Sequence, residues 1–209
     1  MSPGPSPAAG TDPTTDYSAR LPEHRPTGLR LTVLHHPWYR LDPSTPSRWR
    51  WSAFPEPRYR FDSPTGAFRV RYAGDAQRVA MRERFDADGR IVSETALTLH
   101  LIELTGAVRV LDLRHDRNLD ALGVDDQIST SRAPGVWAAC QRLADLVRSW
   151  YGQRCHGIVY RSRTTPERSA NLAFFAHAPL RARNLGRLGT QDGLLAACVH
   201  SDGFAVEGW

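Results

Sequence analysis

The chain has 209 residues, enough for one good-sized domain plus tails, and its 41% apolar content is sufficient for a real core. It carries a net charge of +5, and every formal positive charge is an arginine; these are spread along the chain instead of bunched, which argues against a nucleic-acid-binding arm. No apolar run is long enough to cross a bilayer, and the N-terminus has neither the basic start nor the apolar middle of a secretory signal, so the expected location is the cytoplasm.

Residues 1 to about 26 are rich in Pro, Gly, Ser, Thr and Asp and lack apolar periodicity, which predicts a disordered tail. A first strand is expected over 30–34, RLTVL. Pro37 then breaks the pattern, and Trp38 and Tyr39 follow as bulk that seals the end of the core. Residues 42–58, with four prolines and several bulky aromatics, read either as a lid over a site or as a loop pinned by Trp49 and Trp51. In 68–73, FRVRYA, alternation predicts a half-buried strand with Tyr72 on its apolar side. Asp75 is positioned to cap the next helix, whose Ala76, Val79, Ala80 and Glu83 share one inward face while Arg78 and Arg82 lie largely elsewhere.

Strands are expected over 95–104, with Leu97, Leu99 and Leu101 on one side, and over 108–113. A short helix is expected at 117–122. A longer one runs from Pro134 to about Trp150, with Val136, Cys140, Leu143, Ala144 and Val147 at helical spacing. A strand over 157–161 ends at Ser162, the loop TTPERSA follows, and another strand begins near 171. Residues 181–209 form a C-terminal extension whose apolar patch LLAACV suits an edge strand or a helix. The fold class is α+β, a compact mixed sheet with flanking helices over residues 27–180. Cys140, Cys155 and Cys198 are too few and too scattered for a disulfide scaffold or a CxxC zinc site. No HExxH spacing occurs, so no metal is expected.

Candidate site residues concentrate in 60–83, and each has a structural alternative. Glu83 on an inward helix face is costly unless it pairs with an arginine or does chemistry. Arg60, beside a Ser-Pro-x-Gly turn, is either a solvated arginine or a holder of phosphate or carboxylate. Tyr72 is a core ring or a ring against a flat ligand. Ser162 is a strand-end turn residue or a hydrogen-bond donor to a ligand; with no GxSxG elbow around it, a hydrolase nucleophile is not supported. Arg40 and Asn171 carry weaker versions of the same argument. Neither a Walker A loop nor GxGxxG is present.

Taken in order, Tyr39-Arg40, Arg60-Phe61 before a Pro/Gly turn, Tyr72 in a strand and Glu83 in the following helix resemble the RES-domain family, the toxin component of bacterial RES–Xre toxin–antitoxin pairs. The VLDL strand, the HGIVYRSR segment with Ser162 and the NLAFF strand also look alike, and the resemblance covers roughly residues 30 to 180. Where the family often has a Gly-Gly-Arg-Trp-Asn-like stretch, this chain reads PRYRFDS and keeps only Arg60.

The resemblance implies an ADP-ribosyltransferase-like fold and breakdown of NAD, which is then a substrate and not a recycled cofactor. It also implies a helix-turn-helix, Xre-type antitoxin as partner, with nucleic acid met only through it. Within that frame Glu83, Arg60 and Tyr72 are the catalytic expectations, and Arg40, Ser162 and Asn171 the substrate-binding ones. The alternatives are an ADP-ribosyltransferase that modifies a macromolecule and a non-enzymatic basic binding domain.

Overall fold

The structure, a computed structural model, describes residues 17–165 and 168–208. Most of the expected disordered tail therefore lies outside the described residues. Its last part does not read as a tail, because Tyr17 and Leu21 are buried in the main core and the Tyr17 hydroxyl donates to Asp125 Oδ1 at 2.5 Å. The buried side chains of Tyr17 and Leu21 outweigh a loop-like composition here.

The described residues form β1 (Leu31–Leu34), β2 (Trp38–Asp42), β3 (Val70–Gly74), α1 (Gln77–Phe85), β4 (Ile91–Val92), β5 (His100–Thr105) and β6 (Val108–Asp112). Three helices follow, α2 (Asp116–Leu122), α3 (Gln127–Thr130) and α4 (Pro134–Tyr151). The chain then runs through β7 (Gly157–Arg161), β8 (Ala170–Phe175), β9 (Arg181–Arg187), α5 (Asp192–Asp202) and β10 (Ala205–Val206). The architecture is α+β: an eight-stranded mixed sheet in the order β1-β6-β7-β8-β3-β2-β5-β9, flanked by helices.

Pro37 does not end a strand, as its sequence position suggests, but immediately precedes one. Trp38 is fully buried, and β2 pairs along its whole length with β5. The stretch expected as one strand over 95–104 divides into a 3-10 turn at Ala96–Thr98 and β5. The strand expected to be half-buried, β3, lies inside the sheet with both faces covered, so even Arg71 is buried. Alternation reports a strand's two faces but not what covers the second one.

Long α4 is the clearest case of pattern becoming structure. Pro134 sits in its first turn, where a missing N–H costs nothing, and Val136, Cys140, Leu143, Ala144 and Val147 are all fully buried. Each large apolar side chain so buried contributes roughly 1.5–3 kcal/mol. This helix, with α2 and α3, covers one face of the half-sheet β1-β6-β7-β8-β3. The opposite face is covered in part by the 42–58 loop, whose Trp49 and Trp51 pack edge-on to one another and against Phe174.

The sheet is pinched in the middle. β3 and β8 share five paired positions, but β2 and β3 share only Tyr39 with Gly74. Past that pair the strands part, and Arg40 fills the gap. Its Nη1 donates to the Tyr72 carbonyl at 2.7 Å, and its Nε and Nη2 donate to Asp42 Oδ2. Asp42 also takes Arg71 Nη1 at 2.9 Å. Burial first, then the neighbouring Arg40 charge, pulls the Arg71 guanidinium down to about 10. On the other face, α1 packs across β2 and β3. Gly74 permits that approach: a Cβ there would stand 2.7 Å from Val79 Cγ1.

Residues 181–208 are part of the same body. β9 extends the sheet beside β5, α5 packs on α1, and β10 pairs in parallel with β4. Asp202, at the end of α5, is buried and accepts from both Arg78 and Arg82 of α1. Hydrogen bonds from Arg78 and then Arg82 outweigh its burial and hold its carboxyl down to about 2.

The folded value lies below the ordinary one, so this stabilisation is complete above about pH 4 and is lost as the pH falls from there towards 2. The shift corresponds to roughly 2 kcal/mol. Urea melts between pH 6 and 2 are therefore expected to show a steeper acid loss for the wild type than for Asp202→Asn. Equal slopes would contradict the pairing.

Candidate active site

Glu83 is in the last turn of α1, but not on the inward face that its spacing suggests. Its side is exposed, and Arg82 is the buried neighbour. The reason is that α1 is clasped from two sides. The sheet takes Val79, Ala80 and Met81, while α5 supplies Asp202 to neutralise Arg82. Asp75 does not cap this helix either; its Oδ2 accepts the Ala170 N–H at 2.8 Å and ties the start of the helix to β8.

Exposed as it is, Glu83 is oriented. Its Oε1 accepts from Ser162 Oγ at 2.7 Å and from Thr164 Oγ1 at 2.9 Å. Ser162 lies one residue past β7 and is buried, with Thr165 Oγ1 at 2.9 Å. Both hydroxyl bonds reach one carboxylate oxygen, and Oε2 accepts none among the described residues.

Behind this cluster the sheet contributes a row of polar and aromatic side chains. Tyr160 of β7 sits directly across from Asn171 of β8, which is in turn across from Gly74. The Tyr160 ring meets Phe61 at 5.0 Å between centroids. Burial pushes its phenol far up, the Glu83 charge pushes it further, and the Arg60 charge opposes both. Tyr72 lies on the same face, two residues along β3 from Gly74 and across from Ala173. Its hydroxyl accepts the Phe61 N–H at 2.9 Å and its ring packs on Tyr59 at 5.7 Å. Burial, then the charge of Asp62, raises the Tyr72 phenol well above its ordinary value. Both tyrosines therefore stay neutral at physiological pH.

Arg60 is buried. Its Nη1 donates to the Ile128 carbonyl at 2.9 Å and its Nη2 to the Ser131 carbonyl at 2.7 Å. The guanidinium also lies over the Trp137 ring at 5.6 Å. It staples the 58–62 turn to α3 and to Ser131 just after it, and both ends of its fork are engaged by backbone. Arg40 lies apart from the row: side chains alternate along β2, so it shares the face of Trp38 and Ile102, opposite Tyr72.

Glu83 and Ser162 are thus in contact, Asn171 and Tyr72 stand in the row behind them, Arg60 supports that row, and Arg40 belongs to the seam. Tyr160 and Thr164 join the site without any expectation from the sequence. Alternation along 157–161 places Tyr160 on the Ile158 face, and Thr164 is two residues past Ser162, but neither carries a motif. Two open surface hollows, of about 560 and 550 Å3, lie elsewhere around α1; one is lined by Arg84, Phe85 and Leu99, the other by Tyr39, Gln77 and Leu194. Neither includes Glu83 or Ser162. Among the described residues no group of His, Cys, Asp and Glu is arranged to hold a metal ion, and no helix is long and apolar enough to cross a membrane.

A carboxylate oriented by two hydroxyls, beside a row of neutral tyrosines on a pinched mixed sheet, defines a small α+β domain with a carboxylate-centred site. The RES domain family matches residues 37–191, most of the chain and all six expected site residues, and the chain belongs to that family. Among solved structures, a chain in the crystal structure of the M. tuberculosis MbcT–MbcA toxin–antitoxin complex is similar, with a TM-score of 0.53 and 18% sequence identity. The likeness covers 79% of this chain and 92% of that one. No curated protein matches the chain.

Proposed function

We propose that this chain is a toxin-like enzyme that degrades NAD by breaking the bond between nicotinamide and ribose, with water or phosphate as acceptor. The observation that carries the reading is Glu83: a solvent-reachable carboxylate fixed by Ser162 and Thr164 beside an aromatic row. Membership of the RES domain family and the likeness to a chain of a toxin–antitoxin complex support it.

Cleavage at C1′ of the ribose passes through an oxocarbenium-like cation, as in glycoside hydrolysis. Glu83, held in place before the reaction, stabilises that cation or the ribose hydroxyls without reorganising. The leaving nicotinamide departs neutral from a cationic ring, so no strong general acid is required, in keeping with two tyrosines that remain protonated. Tyr72 and Tyr160 offer ring faces and a dry wall to a flat ligand. Arg60 acts by holding the 58–62 turn.

The test is to incubate purified protein with NAD, with and without phosphate, and to identify the products. Nicotinamide plus ADP-ribose, or its phosphorylated form when phosphate is present, is expected. Unchanged NAD in both arms sinks the reading, and label attached to protein or nucleic acid points to macromolecular ADP-ribosylation instead. The same reading includes an antitoxin partner of the helix-turn-helix, Xre type that suppresses the activity.

A further inference from the structure

We propose that Asp202, in the C-terminal helix α5, is a positioning residue for Glu83, a role that rests on the NAD-cleaving reading and deepens it. The matched family residues end at 191, before α5 begins at Asp192. Yet α5 supplies Asp202, a carboxylate that both Arg78 and Arg82 of α1 meet.

The connection runs through named atoms. Asp202, 3% exposed, receives Arg82 Nη2, and the other end of the same guanidinium, Nη1, donates to the Thr164 carbonyl at 2.8 Å. Thr164 then donates its own hydroxyl to Glu83 Oε1. Thr164 Oγ1 also lies 3.2 Å from Ser162 Oγ, the second donor to that oxygen. Arg82 and Glu83 are neighbours on α1, so the brace leaves the helix on one residue and returns on the next. Further contacts keep Asp202 in place: Arg78 Nε donates to its Oδ2 at 2.8 Å, and Arg90 Nη1 donates to its carbonyl at 2.7 Å.

Arg82 is buried, and removing the charge that faces it leaves an uncompensated cation inside the protein. The guanidinium then turns towards water and releases the Thr164 carbonyl. The loop that carries both hydroxyl donors loses its anchor, and Glu83 keeps its charge but not its fixed position. Misplacement of a reacting group by about 1 Å costs on the order of a hundredfold in rate.

The experiment measures kcat and KM for NAD in wild type, Asp202→Asn and Arg78→Gln, well below their melting temperatures, with the folded fraction read by circular dichroism. Arg78 donates to the same carboxylate, whereas the bond to the Thr164 carbonyl comes from Arg82, so Arg78→Gln weakens the hold on Asp202 without removing that fork. Asp202→Asn is expected to lower kcat ten- to hundredfold per folded molecule with KM within about threefold, while Arg78→Gln stays within twofold of wild type. Asp202→Glu is expected to restore part of the loss. Wild-type kcat in folded Asp202→Asn, or equal losses in both variants, overturns the proposal.

Where Asp202→Asn does not fold, Arg82→Lys decides the matter. It keeps a cation at Asp202 but cannot also fork to Thr164, so a folded protein with unchanged kcat refutes the brace. A wild type that leaves NAD intact removes the activity itself, a result distinct from an active wild type with an equally active variant.

Discussion

Replacing Glu83 by glutamine is expected to lower the rate of the proposed NAD cleavage by about a thousandfold, equivalent to roughly 4 kcal/mol of transition-state stabilisation, and to leave the fold intact. Both halves of this expectation follow from the geometry. Glutamine retains an oxygen that accepts from Ser162 and Thr164, and the side chain is exposed, so little packing is lost. What disappears is the negative charge beside the cationic ribose. Single-turnover loss of NAD, set beside thermal unfolding, measures the two effects separately. Activity within tenfold of wild type would remove Glu83 from the mechanism, and a large fall in melting temperature would make its role structural.

Arg60→Met produces the opposite profile. It removes two charge-assisted hydrogen bonds and leaves the carbonyls of Ile128 and Ser131 without these donors in a buried place. The expected loss is about 3–5 kcal/mol of stability, or a fall of about 10 °C in melting temperature for a chain of this size. Arg60→Lys recovers little, because a single ammonium does not reproduce a planar fork that reaches two carbonyls. Denaturant melts give the stability, and steady-state kinetics on the folded fraction give the rest. A variant that melts like the wild type but binds NAD tenfold more weakly would return Arg60 to the diphosphate and contradict the staple.

The two variants show where sequence reading succeeds and where it stops. Spacing identifies a helix that contains residues 79 to 83, and that helix exists. Spacing also assigns its inward side to Glu83, whereas the structure buries Arg82. Periodicity assumes one apolar neighbour on one side. Here a second neighbour, α5, comes from more than a hundred residues away in the chain and brings an aspartate that makes a buried arginine acceptable. Arg60 is a related case. A basic residue beside a turn reads as surface or as an anion site, and nothing local announces that two carbonyls from residues 128 and 131 converge on its fork. Ser162 did carry a local signal, as the polar residue that closes an apolar strand. Its partner Thr164 did not.

The sequence by itself determined the α+β class, the helix after Pro134, the central strand that carries Tyr72, and the ordered set of residues that resembles the RES-domain family. Those features rest on short-range periodicity, turn chemistry and residue order, all of which are written along the chain. Only the tertiary structure decided that the sheet is pinched between β2 and β3, with Arg40 in the seam. Only it decided that Arg60 is a staple, and that the C-terminal helix reaches α1 to set Arg82, Thr164 and finally Glu83. Each of these depends on a charged side chain meeting a group from a distant part of the chain, and such pairing is fixed by how the elements close on one another.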